Sequence, residues 1–162
     1  MTLGRTPSQT VGPFFSIGLA RGSENELVPE SAPEALRLNG RLLDGAGMPI
    51  GDGLVEISDP PARRWGRTGT DAEGRFTFVV AKPAATEGEA PHLEVFVFAR
   101  GLLRHQLTRI YFPDEAEANA QDPVLASLGE VGRETLVAVD DDGSLRFDIQ
   151  MQGERATVFF AH

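Results

Sequence analysis

The stretch HLEVFVFAR, residues 92–100, is the most strand-like segment of this chain. Valine and phenylalanine dominate it, and β-branched and aromatic residues favour extended backbone. Shorter segments of the same kind lie on both sides of it, separated by turns rich in glycine, proline and aspartate. These segments are residues 36–44, 52–58, 67–71, 75–80, 107–112, 133–139, 144–151 and 156–160. Strands at this spacing predict an all-β fold, an antiparallel β-sandwich.

The part of the chain before these strands follows a different pattern. Residues 1–35 are irregular and interrupted by proline, yet they include the apolar side chains of Val11, Phe14, Phe15, Ile17 and Leu19. Burying one such aromatic side chain stabilises a protein by about 1.5–3 kcal/mol. We therefore expect an extended N-terminal arm that docks on the sandwich or on a partner.

The sandwich itself is predicted to comprise residues 36–162. It should carry one or two short helical turns, at residues 114–119 and 124–128. A chain of 162 residues is long enough to bury a core of its own and is predicted to form one domain.

Charge and composition exclude several classes of function. Asp and Glu number 24 against 15 Lys and Arg, which gives a net charge of −9. Such a chain repels a phosphate backbone, so we expect no nucleic-acid partner. The absence of cysteine excludes disulfides and thiolate metal sites. No apolar run is long enough to span a bilayer, and the start lacks a continuous apolar segment. We expect a cytoplasmic protein without a membrane partner.

The residues themselves offer one weak metal-binding pattern. His92 and Glu94 lie two positions apart on the predicted strand and so point to the same face. A mononuclear metal site needs about three or four ligands, and no third ligand can be identified. The commoner interpretation is the solvated face of an alternating strand. His105 is predicted to lie in a connection between strands, and the terminal His162 offers little support for a ligand role.

Nucleophilic catalysis has no better support. No serine lies in a G-x-S-x-G elbow. The stretch Gly45-Ala46-Gly47 is typical of a hairpin turn because no helix follows it, and Asp140-Asp141-Asp142 is typical of a solvated turn. The residues alone therefore predict no complete active site.

Longer stretches of sequence carry a specific likeness. They are TPSQTVGPFFSIGL (6–19), APHLEVFVFARG (90–101), LTRIYFPDEAEANAQDPVL (107–125), RETLVA (133–138), RFDIQMQGE (146–154) and TVFF (157–160). Together they resemble the alpha chains of the protocatechuate 3,4-dioxygenases, a family of intradiol ring-cleaving enzymes. The resemblance implies a β-sandwich that assembles with a beta chain into a hetero-oligomer of alpha–beta protomers. It also implies the family's reaction, the cleavage of 3,4-dihydroxybenzoate by O2 to 3-carboxy-cis,cis-muconate.

The resemblance further implies that Fe(3+) is carried by the partner beta chain. There the iron is bound by two tyrosines and by two histidines of an H-x-H pair. Here the pair reads His92 and Glu94, and the position of a nearby family arginine holds Glu89. The chain has a single tyrosine, Tyr111, which lies elsewhere. The resemblance thus predicts no catalytic residue and no metal ligand in this chain, with His92 and Glu94 as vestigial positions.

What this chain contributes, by the same resemblance, is part of the substrate pocket. The pocket-lining positions are Thr10, Gly12, Pro13 and Phe14 of the arm, and Arg100 near the pocket entrance. A glycine lets backbone approach a ligand, a proline stiffens the segment, and a phenylalanine offers an apolar wall. A guanidinium could guide an anionic substrate toward a strongly acidic protein. The alternatives are an arm that only straps two sandwiches together and a surface salt bridge.

The sequence departs from the resembled family in length. Two loops, at residues 58–67 and 84–89, are shorter than the family usually has, and Trp65 within the first is expected to cover the sandwich edge or an interface. Two other functions stay open. One is a non-enzymatic β-sandwich binding module, which the apolar arm argues against. The other is a self-sufficient metalloenzyme built on His92 and Glu94, which lacks a third ligand.

Overall fold

The computed structural model describes residues 4–86 and 88–161. These residues contain nine strands and four short helices, joined by turns and loops. The strands are β1 Leu36–Leu43, β2 Leu54–Asp59, β3 Arg64–Gly69, β4 Arg75–Val80, β5 His92–Phe98, β6 Gln106–Tyr111, β7 Val139–Asp141, β8 Ser144–Arg146 and β9 Ile149–Gln150. The helices are α1 Phe15–Leu19, α2 Ala116–Gln121, α3 Pro123–Ser127 and α4 Glu130–Glu134. His162 lies outside the described residues.

The strands form two sheets. One has the order β4-β1-β8-β7, with β9 also paired to β1, and the other has the order β3-β2-β5-β6. The pairings are antiparallel except for the short contacts of β1 with β8 and β9, which are parallel. The predicted all-β sandwich is confirmed.

The core lies between the two sheets and follows from the alternation along the strands. On β5, Leu93, Val95 and Val97 are fully buried, whereas the residues between them are partly exposed. They pack with apolar side chains of the opposite sheet, among them Leu38 and Phe78. His92 and Glu94 therefore lie on the outer face of their sheet, as the sequence pattern predicts.

The first shortened loop is shorter still in the structure. β2 continues to Asp59 and β3 begins at Arg64, so only residues 60–63 connect them. Arg63 has a φ of 54°, and its N–H donates to the Pro60 carbonyl at 3.0 Å, which closes the turn. Trp65 follows on the edge strand β3, where it is about half exposed.

The strand predicted over residues 133–139 is wrong. α4 covers Glu130–Glu134, and β7 begins only at Val139. The side chain of Arg133 donates to the carbonyl oxygens of Leu125 (3.0 Å) and Leu128 (3.3 Å). These contacts fold the segment back against the end of α3 instead of extending it.

Two further strand predictions need correction near the C-terminus. Residues 144–151 form β8 and β9 rather than one strand, because the Asp148 carboxylate accepts the Arg41 N–H at 3.0 Å where the ladder would continue. Residues 156–160 are not a strand: Phe160 makes an isolated bridge with Leu107, and Thr157 donates its N–H to the Gln150 carbonyl at 2.9 Å. Side-chain hydroxyls add to these contacts: Thr157 accepts from the Gln150 N–H, and Thr108 donates to the Val158 carbonyl.

The helices also exceed the prediction. α2 and α3 lie close to the two predicted turns, but α1 and α4 were not predicted, and α1 interrupts the arm that was expected to be irregular. Within the described ranges, no helix is long and apolar enough to cross a membrane.

The segment after α1 is fastened to the sandwich by backbone hydrogen bonds. Leu27 donates to the Val79 carbonyl at 2.8 Å, and Val79 donates to the Asn25 carbonyl at 3.0 Å, which covers the edge of β4. On the other sheet, the Arg67 N–H donates to the Glu24 carbonyl at 2.8 Å. One edge of each sheet is thus covered by the chain's own backbone.

Candidate functional site

The turn that follows β5 joins the arm to the sandwich. Gly101 has a φ of 87°, a value that favours glycine, and its N–H donates to the hydroxyl oxygen of Thr10 at 2.8 Å. Arg100 precedes it, with a side chain that is 68% exposed and an Nε atom 3.1 Å from the Asp52 carboxylate. The structure therefore brings two of the predicted pocket residues, Thr10 and Arg100, to one place on the surface.

The rest of the predicted pocket residues follow Thr10 along the arm. Gly12 has a φ of 78°, which turns the chain in a way that favours glycine, and Pro13 follows it. Phe14 is 76% exposed, just before α1. Within the described residues, Gly12, Pro13 and Phe14 make no hydrogen bond to the Arg100 turn. This part of the arm therefore presents an apolar surface to the outside.

Two clefts flank the Arg100 turn. The first has a volume of about 350 Å³ and lies between the arm and the β5–β6 connection; it is lined by Gln9, Val11, Phe98, Ala99, Leu102, Leu103, Arg104 and His105. The second, of about 470 Å³, is lined on one side by Arg100 and Gly101 and on the other by Asp44, Met151 and Gln152. His105, at the rim of the first cleft, packs against Phe96 and Phe98, with ring centroids about 5.5 Å apart.

A smaller cleft of about 190 Å³ lies at the opposite end of β5, where His92 begins the strand. The Nδ1 atom of His92 lies 2.9 Å from the Ala90 carbonyl oxygen, which favours a hydrogen on Nδ1. Its Nε2 atom lies 3.8 Å from a Glu89 carboxylate oxygen. Glu94 lines the same cleft, opposite Arg109 on β6. The two vestigial positions are thus neighbours in space.

Arg109 supplies the positive charge of this cleft. Its Nη1 atom lies 3.4 Å from a Glu89 carboxylate oxygen and donates to the Tyr111 hydroxyl at 3.2 Å. The guanidinium is only one-fifth exposed, and its carbon lies 5.7 Å from the centre of the Phe160 ring. A cation supplied by the chain itself therefore balances the negative charge of Glu89.

Tyr111 continues this network into the interior. The side chain is fully buried, and its hydroxyl donates to the Oδ1 atom of Asp122 at 3.2 Å. Burial raises the pKa of Tyr111 to about 12, although the hydrogen bond from Arg109 acts in the opposite direction. The phenol therefore stays neutral at physiological pH.

Asp122 ends the network as a buried acceptor. Its Oδ1 atom also accepts the N–H groups of Val124 (2.9 Å) and Leu125 (3.0 Å), which caps α3, and its Oδ2 atom accepts the Ala90 N–H at 2.9 Å. One carboxylate thereby joins α3, β6 and the segment that leads into β5.

These residues do not fit the iron site of the resembled family. That site needs two phenolates and two imidazoles, whereas the cleft holds one imidazole, two carboxylates and a guanidinium. The one tyrosine is fully buried, and its hydroxyl donates to Asp122 and accepts from Arg109. Within residues 4–86 and 88–161, no group of three or more His, Cys, Asp or Glu is arranged to hold a metal ion.

Three residues of these sites escaped the sequence analysis. Asp122 carried a signal, since an aspartate before proline at the start of a helical turn is a common cap. Arg109 could have been found only from the register of β5 with β6, which places it opposite Glu94. Asp52 carried no local signal, because its partner Arg100 is far away in sequence.

Comparison with known proteins identifies relatives along nearly the whole chain. No protein-family model matches it. It is 39% identical to a protocatechuate 3,4-dioxygenase alpha chain of Burkholderia cepacia, over 98% of both chains. It is also 39% identical to an alpha chain of Pseudomonas putida with the same description, over 98% of this chain and 96% of the relative. A beta chain of the Burkholderia cepacia enzyme is 28% identical over 79% of this chain and 68% of its own length.

Solved structures agree on the fold. A dioxygenase domain from Streptomyces sp. SirexAA-E superposes with a TM-score of 0.63 at 23% identity, over 93% of this chain and 99% of that one. The chain thus has the sandwich fold of ring-cleaving dioxygenases. Its sequence places it more narrowly, and it belongs to the family of protocatechuate 3,4-dioxygenase alpha chains.

The comparison also shows that this chain is shorter than its relative. The alignment with the Burkholderia cepacia alpha chain runs over 193 positions, whereas this chain has 162 residues. At least 31 positions therefore have no counterpart here. The family's sandwich persists with a connection of only four residues, 60–63, between β2 and β3.

Proposed function

We propose that this chain is the subunit without iron of a hetero-oligomeric protocatechuate 3,4-dioxygenase and completes the substrate pocket of an iron-bearing beta chain. The assembled enzyme cleaves 3,4-dihydroxybenzoate with O2 between its two hydroxylated carbons, in the cytoplasm. The Fe(3+) ion belongs to the beta chain. This chain supplies the wall formed by Thr10, Gly12, Pro13 and Phe14, and the cation of Arg100.

The observation that carries the proposal is the contact between Thr10 and the Arg100–Gly101 turn. The hydrogen bond joins Thr10 to Gly101, 91 positions away in sequence, and Gly101 directly follows Arg100, the other pocket position that the resemblance implies. The aromatic ring of Phe14, on the same arm as Thr10, and the guanidinium of Arg100 are both largely exposed. An aromatic carboxylate needs both kinds of contact.

The exposed apolar residues of the arm support a partner on this face. Val11, Phe14, Ile17 and Leu19 are all exposed, and Leu103 beside the first cleft is 62% exposed. Apolar side chains gathered in this way mark a surface that binds another molecule. Alpha and beta chains occur together among the relatives. A stand-alone binding module leaves this surface without a purpose.

The closed cleft around His92 supports the placement of iron on the partner. Arg109 and Glu89 neutralise each other there, and Tyr111 is committed to Asp122. A ferric ion at this position would face a fixed positive charge. We therefore expect the purified chain to contain no iron in stoichiometric amount.

The test compares this chain alone with this chain co-expressed with its beta partner. Iron content and O2 consumption with protocatechuate are measured on both preparations. The expected result is an inactive, iron-free chain and an active complex with one iron per alpha–beta pair. Stoichiometric iron and turnover by the chain alone would overturn the proposal and direct attention to His92 and Glu94.

A further inference from the structure

The loop that carries Asp52 is held firmly in place. The hydroxyl of Thr70 donates to the Ile50 carbonyl at 2.7 Å and accepts the Gly53 N–H at 2.9 Å. These two groups flank Asp52 on either side. A Cβ atom at Gly53 would collide with Leu42, so the backbone packs tightly against the core there. The Asp52 side chain, 23% exposed, therefore extends from a well-anchored loop toward Arg100, which is 68% exposed.

Arg100 is the exposed partner of Asp52. The ion pair joins Nε of Arg100 to Oδ2 of Asp52 at 3.1 Å, and the arginine side chain is 68% exposed. A guanidinium that faces one carboxylate with its Nε side can present its two terminal nitrogens to another as a fork, the geometry that binds a carboxylate through two parallel hydrogen bonds.

The backbone of the same turn is fixed from the opposite side. Gly101, next to Arg100, donates its N–H to Thr10 at 2.8 Å. The arm thus restrains the main chain of the turn and Asp52 restrains the end of the side chain. Without Asp52, a long exposed side chain would sample many rotamers and would lose conformational entropy on binding a ligand.

We propose that Asp52 is a positioning residue, which aims the Arg100 fork at the carboxylate of the substrate and so sets the preference of the assembled enzyme for carboxylated catechols. This inference rests on the proposed function, because it assumes that Arg100 faces the substrate. It adds a residue that touches no substrate itself. Its effect on binding passes through the orientation of Arg100.

Asp52 has two opposing effects on an anionic ligand, and a pair of variants separates them. Its negative charge repels a carboxylate, whereas its hold on Nε prepares the fork. Asp52→Asn removes the charge and weakens the hold. Asp52→Glu keeps the charge and displaces the carboxylate by one methylene group. A role in positioning predicts that both substitutions impair binding, whereas a role through charge alone predicts that Asn improves it and Glu leaves it unchanged.

The experiment measures kcat and KM of the complex with the beta chain, for protocatechuate and for catechol, which lacks the carboxylate. If catechol turns over too slowly, its inhibition constant against protocatechuate replaces its KM. Both Asp52 variants are expected to raise the KM for protocatechuate about three- to tenfold, with kcat within about twofold of the parent and no change for catechol. Asp141→Asn, which removes an exposed acid from the other sheet, is the matched control and should leave both constants unchanged.

The outcomes separate this inference from the function on which it rests. A lower KM for Asp52→Asn together with an unchanged KM for Asp52→Glu contradicts positioning. If Arg100→Ala raises the KM for protocatechuate while both Asp52 variants match the parent, only the role of Asp52 is overturned. If Arg100→Ala has no effect either, the assignment of Arg100 to the substrate pocket fails as well.

Discussion

The two ends of strand β5 have opposite chemical characters. At its start, His92, Glu89, Arg109 and Tyr111 form a network of charges and hydrogen bonds that is satisfied within the chain. Past its end, Arg100 projects into solvent beside an exposed apolar arm. Residues at the start of β5 therefore stabilise the subunit, whereas residues past its end are exposed for binding to other molecules.

The difference separates residues that hold the subunit together from residues that can contact another molecule. The buried end keeps polar residues but links them to one another, through Arg109 and Asp122. The other end keeps a largely exposed cation, Arg100, close to exposed apolar side chains of the arm. Substitutions at the first end should act on stability, and substitutions at the second on binding.

The largest effect is expected for Asp122→Ala, at the closed end. This substitution leaves the Ala90 N–H and the N–H groups at the start of α3 without their acceptor, in a site that is 1% exposed. The free energy of unfolding should fall by about 3–5 kcal/mol. Urea denaturation of the full chain measures it.

The matched control for that substitution is Asp114→Ala. Asp114 lies nearby but is largely exposed, and it pairs with Lys82 at the surface. Its loss should cost no more than about 1 kcal/mol. Equal losses for the two variants would show that the buried network does not stabilise the subunit.

The next largest effect is expected from the titration of Tyr111, at the buried end of β5. Burial raises its pKa to about 12 in the folded chain, against about 10 in the unfolded one. Because the pKa is higher in the folded chain, the neutral phenol contributes fully to the free energy of unfolding below pH 10. This contribution is lost as the pH rises from 10 through 12. The loss is at most about 2.7 kcal/mol, because each pKa unit corresponds to about 1.36 kcal/mol.

The chain has only one tyrosine, so the absorbance of tyrosinate reports this group alone. We expect its midpoint to move from about 12 in native buffer to about 10 in denaturant. A native midpoint near 10 would mean that the hydroxyl is open to solvent, and the network around Arg109 would then not be closed.

The smallest effect on stability is expected at the exposed end. Phe14 is 76% exposed, so Phe14→Ala should change the free energy of unfolding by no more than about 0.5 kcal/mol. The same substitution at the buried Phe78 should cost about 3–5 kcal/mol. A loss at Phe14 comparable to that at Phe78 would show that the arm is part of the core rather than a binding surface.

The sequence predicts the two-sheet sandwich well because alternation and burial coincide in it. Along β5 every second residue is buried, and the turns around the strands carry the expected glycines, such as Gly74 with a φ of 72°. The prediction fails where side chains replace backbone pairing. Arg133 bends its segment into a helix, and Asp148 interrupts the strand over residues 144–151. A local pattern does not reveal such contacts.

The candidate site was predictable only through resemblance. Composition and spacing point to no active site, and the positions of Thr10 and Arg100 came from likeness to a family. Neither the residue pattern nor the resemblance predicts the hydrogen bond between Thr10 and Gly101, beside Arg100. That bond depends on how the arm crosses the end of β5. The same holds for Asp52, since a partner 48 positions away in sequence is set by the sheet register.

The most direct test of the account is the KM of the assembled enzyme after Arg100→Ala, with Arg41→Ala as the control. Arg41 is an exposed arginine on β1 of the other sheet, so the two variants lose the same charge. We predict that Arg100→Ala raises the KM for protocatechuate about tenfold, more than it lowers kcat. The KM for catechol, which lacks the carboxylate, should stay unchanged. Equal KM values for the two variants, or an equal loss with catechol, would contradict the assignment of this surface to the substrate pocket.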